Sequence, residues 1–352
     1  RPSVPAPESA AGGTRIRYII APFAAKQPKR HRMKILLVRL SSMGDLIHTL
    51  PALTDLARHL PQAELHWLCE ASFADIARLH PFVRRIHTLR LRQWRKRWWD
   101  ADVWRQIGSL KSSLRAEGYD CVLDAQSLLK SAWAARLSGV PVTGLDAASA
   151  REPLAARFYR RRYPVEKGRD AVWRNRTLFA QAFGYTFDGA ADFGVEVPAA
   201  GSLNGLPPHY FAALHATSRD SKLWPQPNWA ALLTELHRRY RLPVLLPWGS
   251  PAEKARAEAM AAELPFAVVC PPLNLLQAAF MLQGAQAVIG VDTGLLHLAD
   301  ALERPLVGIY TDSDPHKTGV QPSPRALSLG GIGQCPDADE ALSAVERVMQ
   351  AA

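Results

Sequence analysis

The sequence predicts an α/β protein of two doubly wound domains in tandem, and three observations carry that prediction. From Met33 onward, short apolar runs alternate with segments whose leucines and alanines recur at helical spacing. At residues 198–208 the pattern gives way to PAAGSLNGLPP, a Pro/Gly/Ser/Asn-rich break, and then restarts. The length, 352 residues, is large for one hydrophobic core and suits two. Strands alternating with helices imply a parallel sheet covered on both faces, and two such domains leave a cleft lined by their carboxyl-end loops.

The stretch KILLVRLSSMGDLIHTLPALTDLARHL, residues 34–60, opens the first domain as a strand, a Ser-Ser-Met-Gly turn and a helix. Leu46, Leu50, Leu53, Ala57 and Leu60 fall on one helical face, and Pro51 reads as a kink inside that helix. Further strands are expected at 64–69, 85–89, 120–124 and near Val142, with helices at 72–79 and 103–117. Beyond the break, strands are expected at 210–215, 243–247, 267–270, 287–291 and 306–310. Helices are expected at 229–240, 252–264, 275–283, 295–302 and 338–349. Residues 1–32 are Pro/Ala/Gly-rich and basic and precede Met33, which stands where a natural start would fall. They read as an extension outside the fold, and the apolar run at 16–20 is too brief for a secretory signal.

Composition narrows the function. The chain is 48% hydrophobic and 21% charged, and no run reaches the 18 or so apolar residues a membrane span needs. Its four cysteines, Cys69, Cys121, Cys270 and Cys335, lack zinc-like spacing and read as free thiols in a reducing compartment. The formal charge of +11 is unevenly divided: residues 1–204 carry +14 and residues 205–352 carry −3. The first half therefore expects an anionic partner. Residues 151–176 hold nine basic and three acidic side chains, and residues 84–105 hold eight basic residues with four of the ten tryptophans. Basic residues interleaved with aromatics suit an anionic membrane surface better than nucleic acid, since no common nucleic-acid motif is present. No metal is expected: Asp312 and Asp314 are a thin ligand set, and the eleven histidines show no HExxH.

The turns carry the chemistry. GxxxxGK[ST] is absent, and the opening turn has one glycine where a dinucleotide fingerprint needs three, which disfavours P-loop NTPases and dehydrogenases. Asp45 stands at a helix N-terminus. It reads either as a cap, as aspartate commonly is there, or as a base whose pKa the helix lowers, suited to a hydroxyl that acidifies during attack. In HATSRDSKLWP, Thr217, Ser218 and Lys222 offer hydroxyls, N–H groups and an ammonium for a pyrophosphate, or simply a polar loop. In VIGVDTGLLHLADAL a strand ends at Asp292, and Thr293 and Gly294 open a helix whose free N–H groups suit phosphate. Glu253, in the first turn of a helix opened by Pro251, satisfies the helix dipole there.

VRLSSMGDLIHTLPALTDL, HATSRDSKLWP, LPWGSPAEKARA and VDTGLLHL together resemble the lipopolysaccharide heptosyltransferases of glycosyltransferase family 9, from about Met33 to the C-terminus. The resemblance implies a GT-B fold: an acceptor-binding Rossmann-like domain at 33–200 faces an ADP-sugar-binding one at 201–352, with a final helix able to return to the first. It implies transfer of L-glycero-D-manno-heptose from ADP-heptose to the first Kdo of Kdo2-lipid A, with inversion and without a cofactor. It places the enzyme peripherally on the cytoplasmic face of the inner membrane, with no nucleic-acid partner. By similarity Asp45 is the base and Lys222 neutralises the departing ADP, with Thr217, Ser218, Thr293 and Gly294 around the diphosphate. Glu253 would hold the ribose, Leu273 would lie near the adenine, Asp292 would take heptose hydroxyls, and His297 would lie near the phosphates. Ser42, Gly44, Arg92, Arg95, Lys96 and Arg151 would serve the acceptor, while Gln93 departs from the family's basic pattern. A different acceptor, as for a second heptosyltransferase, and a basic nucleic-acid-binding protein are the alternatives.

Overall fold

Two six-stranded sheets, each entirely parallel, organise a computed structural model that describes residues 32–199 and 203–351. The expected extension, apart from Arg32, and the centre of the expected linker at 200–202 lie outside the described residues. In the first sheet β1 (Lys34–Val38) is followed by α1 (Met43–Ile47), α2 (Leu50–His59), β2 (Glu64–Glu70), α3 (Ala74–Arg78), β3 (Val83–Leu89), α4 (Leu91–Lys96) and α5 (Ala101–Ala116). Then come β4 (Cys121–Asp124), α6 (Leu129–Arg136), β5 (Val142–Leu145), β6 (Tyr159–Tyr163) and α7 (Ala171–Phe183). The second sheet begins with β7 (Phe211–Leu214), α8 (Gln226–Tyr240), β8 (Val244–Leu246), α9 (Pro251–Glu263), β9 (Ala267–Val269) and α10 (Leu275–Gly284). It is completed by β10 (Ala287–Val291), α11 (Gly294–Ala301), β11 (Leu306–Tyr310), α12 (Pro315–Thr318), β12 (Ala326–Gly330) and α13 (Ala338–Gln350).

The strand orders are β3-β2-β1-β4-β5-β6 and β12-β11-β10-β7-β8-β9. Numbered within its own sheet, each reads 3-2-1-4-5-6, the doubly wound order. The crevice of such a sheet opens where the order reverses, here between β1 and β4 and between β7 and β10. β1, β4, β7, β10 and β11 are buried along nearly their whole length, which is why their sequences are continuous apolar runs rather than alternations.

Four differences from the sequence expectation bear on the architecture. Pro51 does not kink a helix: the chain breaks after Ile47, Thr49 caps a new helix, and Pro51 sits in its first turn, where a missing N–H costs nothing. The sequence YRRRY forms β6, an edge strand whose two tyrosines face the core while Arg160 and Arg162 face solvent. ALSLG forms β12 at the opposite end of the second sheet. Finally, α13 does not return to the first domain: Ala341, Leu342, Ala344, Val345 and Val348 complete the second core against α8, β10 and β11.

One apolar core runs through both domains. Leu46, Ile47 and Ile76 of the first domain share it with Leu282, Leu296 and Leu298 of the second, and α1 packs on α11. Full burial of each such side chain contributes about 1.5–3 kcal/mol. Among these residues Asp300 is an acid on α11, buried, with Oδ2 accepting the Gln321 N–H at 2.8 Å. Burial pushes its carboxyl up to about 7. Above the unfolded value of roughly 4 the unfolded chain gives up a proton that the folded chain keeps. Stability therefore falls as pH rises from that value through the folded one. Asp300→Asn is expected to raise stability at pH 8 by roughly 2–4 kcal/mol and to change little at pH 4, read by urea unfolding at both.

Candidate active site

Asp45 is held at the first switch point by its own loop and by its neighbour after β4. Ser42 is the N-cap of α1, and Asp45, at the third helical position, accepts the Ser42 N–H at 2.9 Å and its hydroxyl at 3.1 Å. Asp45 is thus the return half of a capping box rather than the cap itself. Arg39, buried at the end of β1, places Nη2 3.1 Å from Asp45 Oδ1 and donates through Nη1 to the Ala125 carbonyl. Gln126 braces the same turn, accepting the Leu40 N–H at 2.7 Å and donating to the Ser41 carbonyl at 2.8 Å. The β4 loop is set in turn by fully buried Asp124, which accepts from Tyr159, Ser131, and the Gln126 and Ser127 N–H groups.

Electrostatics keep Asp45 ionised. Burial pushes its pKa up, but Arg39, the Ser42 N–H and the more distant Arg151 outweigh that and hold the carboxyl below the usual range. The carboxylate lines a cavity of about 410 Å³ ringed by Arg39, Arg151, Lys167, Arg169, Arg174 and, from α12 of the second domain, Lys317. Asp45 is the single acid among the described lining residues. Arg151 is exposed, with Nη1 4.0 Å from Asp45. The site can hold a multiply anionic molecule against an ionised carboxylate.

At the second switch point Thr217, Lys222 and His297 converge on Asp292. Asp292 follows β10, and its Oδ2 accepts from Lys222 Nζ at 2.5 Å and from Ser313 Oγ at 2.6 Å, while His297 Nε2 lies 3.6 Å from Oδ1. Burial pushes this carboxyl up, but His297, Lys222 and Ser313 together hold it far below the usual range. Thr217 donates to the Asp292 carbonyl at 2.7 Å, and Ser218 follows it exposed to solvent. Thr293 is the N-cap of α11, with no side-chain bond of its own to the helix. Glu253 accepts the Gly249 N–H at 2.6 Å at the start of α9, and Leu273 lies half-buried just before α10.

Two expected residues have a packing role. A Cβ on Gly44 would lie 2.7 Å from His297 Cδ2, and a Cβ on Gly294 would lie 2.6 Å from Met43 Sδ. Only glycine permits this approach of α1 to α11. Arg92, Arg95 and Lys96 stand exposed on α4, beyond the edge strand β3, anchored by Glu70 accepting the Leu91 and Arg92 N–H groups. They are not among the residues lining the cavity around Asp45. Sequence reasoning missed Arg39, Gln126 and Ser313, and saw Lys167, Arg169 and Arg174 only as part of a basic run. Metal-ligand spacing among the described residues occurs at His66, His87 and Glu117. There Tyr119 Oη already lies 2.9 Å from a nitrogen of each histidine.

Two doubly wound sheets whose switch points face each other, one carrying a carboxylate and the other a lysine beside a helix N-terminus, are the GT-B architecture of glycosyltransferases. The family described as glycosyltransferase family 9 (heptosyltransferase) matches residues 107–343. The chain belongs to that family and is a glycosyltransferase. It is 46% identical over 293 residues to lipopolysaccharide heptosyltransferase 1 of Pseudomonas aeruginosa, covering 82% of this chain and 81% of that one. To the Escherichia coli K12 protein of the same name it is 40% identical, over 82% of this chain and 90% of that one. The structure titled E. coli heptosyltransferase WaaC with ADP superposes with a TM-score of 0.82 at 35% identity, covering 89% of this chain and 99% of that one.

Proposed function

We propose that this protein transfers L-glycero-D-manno-heptose from ADP-heptose to the first Kdo of Kdo2-lipid A, with inversion at the anomeric carbon. The observation that carries the reading is an ionised carboxylate, Asp45, in a cavity ringed by six cations, beside a domain whose lysine and helix N-terminus suit a diphosphate. Kdo carboxylates and lipid A phosphates match the cations. In the reaction the acceptor oxygen forms a bond to the anomeric carbon as the bond to the ADP oxygen breaks, and the acceptor proton passes to Asp45. Negative charge grows on the departing diphosphate, where Lys222, Thr217, Ser218, and the N–H groups of Thr293 and Gly294 stabilise it. Glu253 holds the ribose, Leu273 packs near the adenine, Asp292 takes heptose hydroxyls, and His297 lies near the phosphates. Ser42, Gly44 and Arg151 serve the acceptor at the cleft, and Arg92, Arg95 and Lys96 meet its phosphates or the membrane at the rim. Mass spectrometry of Kdo2-lipid A incubated with ADP-heptose and the protein tests the reading: a gain of one heptose supports it, and an unchanged mass overturns it. An acceptor already carrying one heptose, run beside it, decides against a second heptosyltransferase.

The reading places the enzyme on the cytoplasmic face of the inner membrane. No helix among the described residues is long and apolar enough to cross a membrane. Trp98, Trp99 and Trp104 are 60–69% exposed between and on α4 and α5, and Trp133, Leu154 and Phe158 are exposed on α6 and the turn before β6. These segments cover one face of the first sheet, and Arg95, Lys96 and Arg97 flank the first tryptophans. Indole rings flanked by cations suit the headgroup region. The double variant W98A/W99A is expected to bind anionic phosphatidylglycerol vesicles about tenfold more weakly in co-sedimentation, with turnover on a deacylated, soluble acceptor unchanged.

A further inference from the structure

The residue that ties the two switch points together is a buried histidine. His48, just past the end of α1, puts Nε2 3.2 Å from Nδ1 of His297 on α11, with the rings edge to face at 4.5 Å between centroids. Both side chains are buried, at 4% and 5% exposure. They lie where α1 and α11 approach most closely, at Gly44 and Gly294. The far nitrogen of His297 faces Asp292 Oδ1 at 3.6 Å.

The two imidazoles share one hydrogen bond, and the far side of His297 faces the Asp292 carboxylate. Burial, and after it the neighbouring His297, push the His48 pKa down to about 3, so the ring stays neutral and has one N–H to give. The chain Asp292–His297–His48 crosses from the donor domain into the turn that carries Asp45, three residues before His48. His48 is fixed from behind as well, since Asn175 of α7 donates to its carbonyl at 2.9 Å.

We propose that His48 is a positioning residue for the transfer: through its hydrogen bond with His297 it fixes α1, and with it Asp45, at one distance and angle from the donor site. It touches neither substrate. The inference rests on the heptosyl-transfer reading and adds to it the element that sets the base against the donor carbon. A displacement of about 1 Å at a reacting centre costs roughly 100-fold in rate, so a single hydrogen bond between domains is enough to matter.

The experiment compares His48→Ala, His48→Leu and His48→Gln with the wild type. It measures kcat and KM for ADP-heptose, ADP affinity by calorimetry, and thermal unfolding. Glutamine can offer an amide N–H or a carbonyl oxygen near the place of the imidazole Nε2, whereas alanine offers neither. His48→Ala is expected to lower kcat by about 30- to 100-fold while ADP affinity stays within threefold, and His48→Gln to restore most of the loss. His48→Leu, which fills the site and can neither donate nor accept, is expected to behave as His48→Ala does. Wild-type kcat in His48→Ala overturns the inference, as does a loss shared equally by ADP affinity, or glutamine no better than alanine. If His48→Ala fails to fold, His48→Leu takes its place under the same criteria. A wild type that binds ADP and transfers no heptose counts against the functional reading instead.

Discussion

Asp45→Asn is expected to lower heptose transfer by at least about 10³-fold while ADP affinity stays within threefold of the wild type. Asparagine keeps the size of the side chain, and its carbonyl oxygen can still accept the Ser42 N–H, so the helix start survives. It cannot take a proton from the acceptor hydroxyl. The donor residues at the second switch point do not touch it, which is why ADP binding serves as the control. The direction of the pKa supplies a second readout. Arg39 and the Ser42 N–H outweigh the effect of burial and keep the carboxyl below the usual range. The stability of the Asp45–Arg39 pair is thus present above the unfolded pKa of about 4 and is lost as pH falls through the folded value. The acid limb of kcat/KM assigned to Asp45 should accordingly lie below pH 4. A limb near pH 6 in the wild type, or a turnover in Asp45→Asn within tenfold of normal, would remove Asp45 as the base.

How far this site could be read from the chain depends on how local each interaction is. Asp45, Asp292 and Lys222 sit in turns that follow apolar strands, and the place of such turns in a parallel sheet follows from the alternation itself. Arg39 was hidden because it closes an apolar strand. Its meaning comes from the register of β1 with β4, which brings the Ala125 carbonyl to it. Gln126 acts on residues 85 and 86 positions away, and His48 meets a partner 249 positions away. No window of sequence contains both members of such a pair. His48 lies off the leucine face of residues 46–60, so the apolar spacing carried no signal for it.

The same limit explains the misread elements. Leu46, Ile47, Leu50, Leu53 and Leu56 all bury into one core, so helical spacing continues through the break between α1 and α2 and only Pro51 marks it. β6 was concealed by three arginines. Its strand signal is the alternation of buried tyrosines with solvent-facing arginines at an edge, too short to stand out within a basic run. That run has several jobs. Arg176 pairs with Asp55 at 2.7 and 3.1 Å inside the packing of α2 against α7 and is structural, whereas Arg151, Lys167, Arg169 and Arg174 line the cavity. Net charge pointed to an anionic partner, but it could not say which cations were already committed to the fold.

Lys222→Ala is expected to lower kcat by about 10²- to 10³-fold and, unlike Asp45→Asn, to weaken ADP binding about tenfold. The ammonium is paired with Asp292 at 2.5 Å, and Ser313 and His297 face the same carboxylate. A diphosphate arriving at the N-terminus of α11 brings further negative charge beside Asp292, and the lysine is the mobile cation able to face both. Removing it leaves a buried carboxylate confronting the diphosphate, so the ground state is penalised. The transition state, in which the leaving oxygen gains charge, is penalised more. Lys222→Arg tests whether charge alone suffices. A planar, bulkier guanidinium retains the charge but not the point contact, and it should recover ADP affinity more fully than kcat. Ammonium geometry is then the catalytic requirement and positive charge the binding one. Equal recovery of both quantities would instead reduce Lys222 to a counter-ion for Asp292.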